Sequence, residues 1–316
     1  MSLGFVFPGQ GSQSVGMLKD LAADFGEVIS TFDEASDALD LDLWALTQDG
    51  PEDALNQTQN TQPAMLAAGV AVWRVWQRQD GLAPTIMAGH SLGEYTALVC
   101  AEALQFKDAI TLVASRGRFM QEAVPAGQGA MAAIIGLDDD AVTAVCQKAA
   151  EGDVLTPVNY NAPGQVVIAG SKEAVDRALL VSKEAGAKRA LPLPVSVPSH
   201  CALMHPAAER MKELLATIEI ATPNIPVLHN VNVALEADAD GIRSALVGQI
   251  ESPVQWVNTI EKIVGDGTST FVECGPGKVL AGLNRRINKN TKTYPVFNAA
   301  TLDEALSAVS ETTLAE

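Results

Sequence analysis

The 316-residue chain is 47% hydrophobic but only 5% aromatic, a composition that suits one large α/β core, or a large domain carrying a small insert, with helices packed on a mostly parallel sheet. Its formal net charge of −17 argues against nucleic acid and anionic membrane surfaces as partners. Four scattered cysteines, Cys100, Cys146, Cys201 and Cys274, show no CxxC and no paired histidine spacing; this argues against structural zinc and a disulfide framework, and favours the reducing cytoplasm.

In chain order, residues 3–7 read as a buried strand running into a turn-rich segment at 8–13. That apolar run is too short for a signal-peptide core and has no basic region before it. Helices are predicted over 32–39, with an acidic first turn, and over 64–79, where apolar residues recur at helical spacing. Arg74 interrupts the second, which is too short to span a bilayer. Gly81 and Pro84 punctuate the chain before a short strand at 85–88, and helices follow at 94–103 and 107–124. The rhythm then changes. A strand at 130–137 leads into a helix at 138–150 with acidic residues at its start. Strands at 155–159 and 165–169 flank a turn at 161–164, and a helix at 172–185 and a strand at 189–195 complete the order β-α-β-β-α-β. This is the split, ferredoxin-like pattern. It marks a small inserted domain at 126–196 and leaves 1–125 and 197–316 as the large domain. Beyond it, helices at 203–218, 238–249, 254–264 and 278–287 alternate with strands at 227–230, 270–274 and 293–297, as in a doubly wound parallel sheet.

Gly89-His90-Ser91-Leu92-Gly93 is a G-x-S-x-G elbow between a predicted strand and a predicted helix. The spacing has a physical reason. A serine on a tight strand-to-helix turn exposes its Oγ at the carboxyl end of a strand, and the flanking glycines leave room for the turn and for a substrate. The helix N-terminus behind it favours developing negative charge, and the backbone N–H of Leu92 is placed to stabilise an oxyanion. The bland alternative is a Gly-rich turn whose serine caps the helix. A second donor is expected from Gly9-Gln10-Gly11-Ser12-Gln13, with the N–H of Gln10 the candidate. The segment is no Walker A loop, because G-x-x-x-x-G-K-[ST] is absent.

Of the four histidines, His90 adjoins the serine and either packs away or lines the pocket, His205 opens a helix and His229 ends a strand. His200, in the loop Pro198-Ser199-His200-Cys201, is the candidate general base. No acid announces itself to orient it. A carbonyl acceptor would do so equally well, which points to a nucleophile–base dyad of Ser91 and His200.

Four stretches carry a family resemblance across essentially the whole chain: Phe7-Pro8-Gly9-Gln10-Gly11-Ser12-Gln13, Gly89-His90-Ser91-Leu92-Gly93-Glu94-Tyr95, Ser115-Arg116-Gly117-Arg118-Phe119-Met120 and Pro198-Ser199-His200-Cys201. The sequence resembles the bacterial malonyl-CoA:acyl carrier protein transacylases of type II fatty-acid synthesis. That resemblance implies an α/β-hydrolase-like large domain with a parallel sheet and a ferredoxin-like insert. It implies Ser91 as nucleophile, His200 as base, the backbone of Gln10 and Leu92 as oxyanion hole, and Arg116 as the clamp on the malonyl carboxylate. It also implies the main-chain carbonyl of Gln249 as the group orienting the histidine, with Asn161 and Gln62 lining the pocket. A guanidinium suits a carboxylate because it offers two parallel hydrogen bonds; the residues alone do not choose between Arg116 and Arg118. The implied substrates are malonyl-CoA and phosphopantetheinylated acyl carrier protein, with no cofactor or metal. The basic stretch around Lys278, Arg285, Arg286 and Lys289 is a solvated helix face on charge alone, and a docking patch once an acidic carrier protein is implied. A monomer is expected. The rivals are a serine thioesterase, which would want an acid in its triad and has no need of Arg116, and a non-enzymatic subunit that binds carrier protein, which would not need Ser91 and His200 intact.

Overall fold

The computed structural model describes residues 2–195 and 197–314, with side chains to 311. Strand β1 (Leu3–Phe7) is buried along its whole length at the centre of a five-stranded sheet. Helices α1 (Lys19–Asp24), α2 (Gly26–Leu39), α3 (Leu43–Asp49), α4 (Glu52–Leu55) and α5 (Thr58–Arg78) follow it. Periodicity finds part of α2 and most of α5. It misses α1, α3 and α4, which are too short to display a 3.6-residue repeat. Helix α5 begins at Thr58 rather than at 64. Pro63 suggests a boundary, but the first N–H groups of any helix lack partners, and Thr61 Oγ1 ties the extra turn to the carbonyl of Leu55 at 2.6 Å. That turn brings Gln62 to the site. Deeper in α5, Trp73 and Trp76 both meet the ring of Phe5 edge-on at 5.3 Å, contacts worth ~1 kcal/mol each beyond their area burial.

Next come β2 (Ile86–Gly89), α6 (Gly93–Cys100) and α7 (Phe106–Ala123). A separate antiparallel sheet is then built from β3 (Gly129–Ile135), β4 (Leu155–Ala162), β5 (Gln165–Ser171) and β6 (Arg189–Pro192), with α8 (Asp139–Ala150) and α9 (Lys172–Glu184) between strands. Its order, β4-β5-β3-β6, is the ferredoxin-like one. Its apolar face and the two helices form their own core around Ile134, Val142, Val166 and Val175. We propose domain boundaries at 126 and 196; Ser196 lies outside the described residues. The remaining elements are α10 (His205–Leu215), β7 (Val227–Leu228), α11 (Ala239–Glu251), α12 (Trp256–Gly265), β8 (Thr270–Cys274), α13 (Val279–Ile287), β9 (Lys292–Val296) and α14 (Ala299–Leu314). No predicted element covers α14; its start is fixed by Asn298, whose Oδ1 accepts from Thr301 N at 2.9 Å.

The large sheet runs β7-β2-β1-β8-β9 with every pair parallel. The chain goes from β1 to β2 on one side and later places β8 on the other. Beside β1 the winding therefore reverses, and a crevice opens outside the carboxyl ends of the strands. Three departures from the predicted elements shape that crevice. Strand β4 continues to Ala162, so Asn161 lies on the strand and not in the turn. Strand β7 stops at Leu228, which leaves His229 and Asn230 beyond its end. Val254 is not helical; it bridges to Asn159, and Tyr160 N donates to Val254 O at 3.0 Å. Edge strand β4 is thereby stitched to the large domain beside the crevice. Among the described residues no helix is long and apolar enough to cross a membrane.

Candidate active site

The elbow is formed by the end of β2 and the start of α6. Ser91 has φ of 50°, in the left-handed region that costs an L-residue roughly 1–2 kcal/mol. Two glycines make this geometry possible. A Cβ on Gly89 would lie 1.9 Å from the carbonyl carbon of Gly93, and one on Gly93 would lie 2.0 Å from the carbonyl oxygen of Phe7. The turn is folded tightly on itself and against the end of β1.

His200 Nε2 lies 2.8 Å from Ser91 Oγ, and His200 Nδ1 lies 2.7 Å from the carbonyl of Gln249 at the end of α11. A carbonyl only accepts, so Nδ1 carries the proton and Nε2 is the free acceptor; the Ser91 hydroxyl donates to it. No carboxylate is needed to fix the tautomer. His200 is buried and itself has φ of 66°, its N–H held by Ile250 O at 3.1 Å. Burial, then the charge of Arg116, push the imidazole down to about 3, so it is neutral near pH 7.

Arg116, on α7, is 1% exposed. It donates to Gln62 Oε1 at 2.9 Å and to Gln249 Oε1 at 3.0 Å, and approaches Ser91 Oγ at 3.4 Å. Its guanidinium lies over the Tyr95 ring at 5.5 Å. No carboxylate pairs with it among the described residues, and its Nε is buried without a partner. A buried charge without a paired counter-ion is costly; burial pulls the guanidinium below its ordinary range, and the Coulomb attraction of Glu94 offsets this only in part. Arg118, two positions on, is exposed. Gln249 contributes twice, since its Nε2 also donates to Ser91 O at 3.1 Å.

Gln10, in the turn after β1, and Leu92 both line the cavity above Ser91. Neither backbone N–H has a hydrogen-bond partner among the described residues, whereas Ser91 N donates to Asn230 Oδ1 at 2.7 Å. Two donors are thus free for a developing oxyanion. His90 lines the cavity, with Nε2 2.8 Å from Asn161 Oδ1 across the domain junction. The cavity measures about 190 Å³ and is also walled by apolar groups such as Met120, Met131, Leu193 and Val197, and by Asn159 and Ser199. It is smaller than the pockets that take drug-sized ligands and suits a short acyl group.

The structure thus brings Ser91, His200, Gln10, Leu92, Arg116, Gln249, Gln62 and Asn161 together. Lys278, Arg285, Arg286 and Lys289 lie elsewhere, exposed from the N-cap of α13 to the turn after it. Arg286 reaches the insert, donating to Gln165 Oε1 at 2.6 Å. Sequence reading missed a buried cluster beneath the elbow: Glu94 accepts from Asn230 N at 2.8 Å and pairs with His229 Nδ1 at 2.8 Å. Glu94 stands in the elbow motif, but nothing in the sequence links it to residues so far along the chain.

A serine on a strand-to-helix elbow, a neutral histidine behind it and two free N–H groups beside a small cavity define an acyl-transferring enzyme of the serine type. An acyl transferase domain model matches residues 4–303. A malonyl CoA-acyl carrier protein transacylase of Escherichia coli strain K12 is 62% identical over 283 residues, covering 90% of this chain and 92% of the relative. The solved acyl carrier protein S-malonyltransferase of Vibrio cholerae aligns with a TM-score of 0.94 at 57% identity, covering 96% of this chain and 99% of that one. A malonyl-transacylase solved in complex with its type II PKS acyl-carrier protein aligns at 0.96 with 56% identity, covering 98% and 100%. The chain belongs to the acyl transferase family and, within it, to the malonyl CoA-acyl carrier protein transacylases.

Proposed function

We propose that this acyltransferase moves the malonyl group from malonyl-CoA to the phosphopantetheine thiol of acyl carrier protein through a malonyl-serine intermediate, supplying fatty-acid synthesis. The observation that carries the reading is Arg116: a buried guanidinium beside the serine hydroxyl, without a carboxylate partner among the described residues. A substrate that brings its own carboxylate supplies the missing counter-charge and uses donors that the two glutamines leave free.

In the first half-reaction His200 Nε2 takes the Ser91 proton as Oγ attacks the thioester carbonyl. The N–H groups of Gln10 and Leu92 hold the tetrahedral oxyanion. Its collapse breaks the C–S bond, and the CoA sulfur leaves with the proton from His200. In the second, the phosphopantetheine thiol gives its proton to His200 and attacks the malonyl ester, and Ser91 leaves as the hydroxyl. Gln249 O keeps the imidazole in one tautomer throughout, and the His90–Asn161 contact holds the insert over the cavity.

We further propose that acyl carrier protein docks on the exposed cations Lys278, Arg285, Arg286 and Lys289, since the chain's overall charge of −17 otherwise opposes an acidic partner. The enzyme is proposed to work as a cytoplasmic monomer. Its exposed large apolar residues are scattered, Leu180 on α9 and Leu235 in the loop between β7 and α11, and all four cysteines are free and buried.

The test is intact-protein mass spectrometry after brief mixing with malonyl-CoA, with Ser91→Ala alongside. One malonyl adduct is expected, absent in the variant and discharged by carrier protein but not by water. Rapid discharge by water would indicate a thioesterase; no adduct would remove the serine intermediate.

A further inference from the structure

Beneath the elbow lies a buried polar cluster with no part in proton transfer or charge stabilisation. Asn230 is fully buried. Its Oδ1 accepts from Ser91 N at 2.7 Å, and its Nδ2 donates to Gly89 O at 2.7 Å. One side-chain amide therefore grips the peptide groups on both sides of His90. A second tier holds that amide. Asn230 N donates to Glu94 Oε2 at 2.8 Å, and Glu94 Oε1 pairs with His229 Nδ1 at 2.8 Å, both side chains fully buried. Glu94 lies in the first turn of α6, so this tier fastens the loop after β7 to the helix that follows the serine.

Two physical points give the cluster a purpose. Left-handed backbone at a non-glycine residue persists only where the surroundings over-determine it, and the elbow glycines permit φ of 50° at Ser91 without enforcing it. Asn230 satisfies both peptide groups in this one arrangement. It also occupies the N–H of Ser91 and so leaves the N–H of Leu92 as the elbow's free donor to an oxyanion. The cluster leaves His229 Nε2 buried without a partner among the described residues, and breaking a further link would strand more buried polar groups, which ties the geometry of Ser91 to the integrity of the chain of bonds.

We propose that Asn230 is a positioning residue for the Ser91 nucleophile, its amide holding the strained elbow and the buried Glu94–His229 pair holding the amide. The inference rests on Ser91 being the nucleophile, and its test separates the two.

Wild-type protein, Ser91→Ala, Asn230→Leu and His229→Gln are compared in two assays: labelling by a fluorophosphonate, and single-turnover acylation by malonyl-CoA over a concentration series. Leucine matches asparagine in shape without its hydrogen bonds, and glutamine at 229 can still donate to Glu94. Wild type should be labelled at Ser91 and Ser91→Ala should not; failure there removes the nucleophile itself. Asn230→Leu should lower both the labelling rate and the saturating acylation rate by about 100-fold, the loss expected when a reacting atom is misplaced by about 1 Å. Its half-saturating malonyl-CoA concentration should stay within about threefold, because Arg116 and the cavity walls are untouched. His229→Gln should retain acylation to within about fivefold. Wild-type saturating rates in Asn230→Leu, or a loss confined to half-saturation, overturn the positioning role. If Asn230→Leu does not fold, His229→Ala takes its place, and a wild-type saturating rate in that variant overturns the proposal equally.

Discussion

Replacing Arg116 by glutamine should separate recognition of the malonyl carboxylate from the chemistry of acyl transfer. The guanidinium is 1% exposed and within 3.4 Å of Ser91 Oγ, so a carboxylate bound to it is largely desolvated. Removing one partner of such a buried, hydrogen-bonded charge pair costs about 2–5 kcal/mol. Glutamine still offers an amide donor, which places the expected loss near 3 kcal/mol, or roughly 150-fold in kcat/KM for malonyl-CoA. Acetyl-CoA carries no carboxylate, and its transfer should fall by less than about fivefold. The assay is acylation of Ser91 at limiting concentrations of each thioester, followed by intact mass. Equal losses for the two substrates would refute the reasoning, because they would mean that Arg116 contributes nothing through the substrate's carboxylate.

Burial and then Arg116 hold His200 down at about 3, against an ordinary 6.5, and a histidine must be neutral to act as the proposed general base. Acylation by acetyl-CoA should therefore hold steady as pH falls from 8 to 5, and in Arg116→Gln its acid limb should move up toward 6.5; a wild-type limb already at 6.5 would contradict this. The same shift carries a stability sign: the unfolded chain takes up the proton near 6.5 and the folded one near 3, so the contribution of neutral His200 is present above 6.5 and lost as pH falls toward 3. His200→Gln should flatten that part of the stability–pH curve in urea titrations. Gly89→Ala, whose new methyl would sit 1.9 Å from Gly93, should yield a protein that is poorly folded or not acylated; a well-folded, fully active variant would show that the elbow is looser than described. Reversing Lys278, Arg285 and Lys289 to glutamate should weaken transfer to carrier protein and its salt dependence while leaving acylation by malonyl-CoA unchanged.

Much of the fold was legible because its signals are local. Each strand and helix of the insert, the elbow glycines and the parallel strands announce themselves locally. The short helices α1, α3 and α4 did not, and Pro63 hid a turn of α5 that tertiary contacts hold in place. The site divides in the same way. Ser91 and the Leu92 donor follow from one five-residue motif. Arg116 follows from no motif of its own: the residues leave it level with Arg118, and only the family resemblance, and then its burial beside Ser91, set it apart. Asn230, Glu94 and His229 were invisible, because a hydrogen bond between a serine at 91 and an amide at 230 has no local signature. It exists because β7 lies beside β2 in the sheet and ends one residue before His229.

The absence of a third acid from the dyad has a consequence for the proposed reaction. A carboxylate behind His200 would raise its basicity whether or not substrate is bound. The carbonyl of Gln249 fixes the tautomer at 2.7 Å without adding charge, and Arg116 lowers the imidazole further. In the free enzyme the base is therefore weak. A malonyl carboxylate seated on Arg116 would cancel one of the two leading causes of that depression and raise His200 toward the range where a general base works well. Acetyl-CoA could not do this. The substrate's own charge would then serve twice, first in binding and then in strengthening the base, and the difference between malonyl and acetyl transfer should appear in the saturating acylation rate as well as in the affinity.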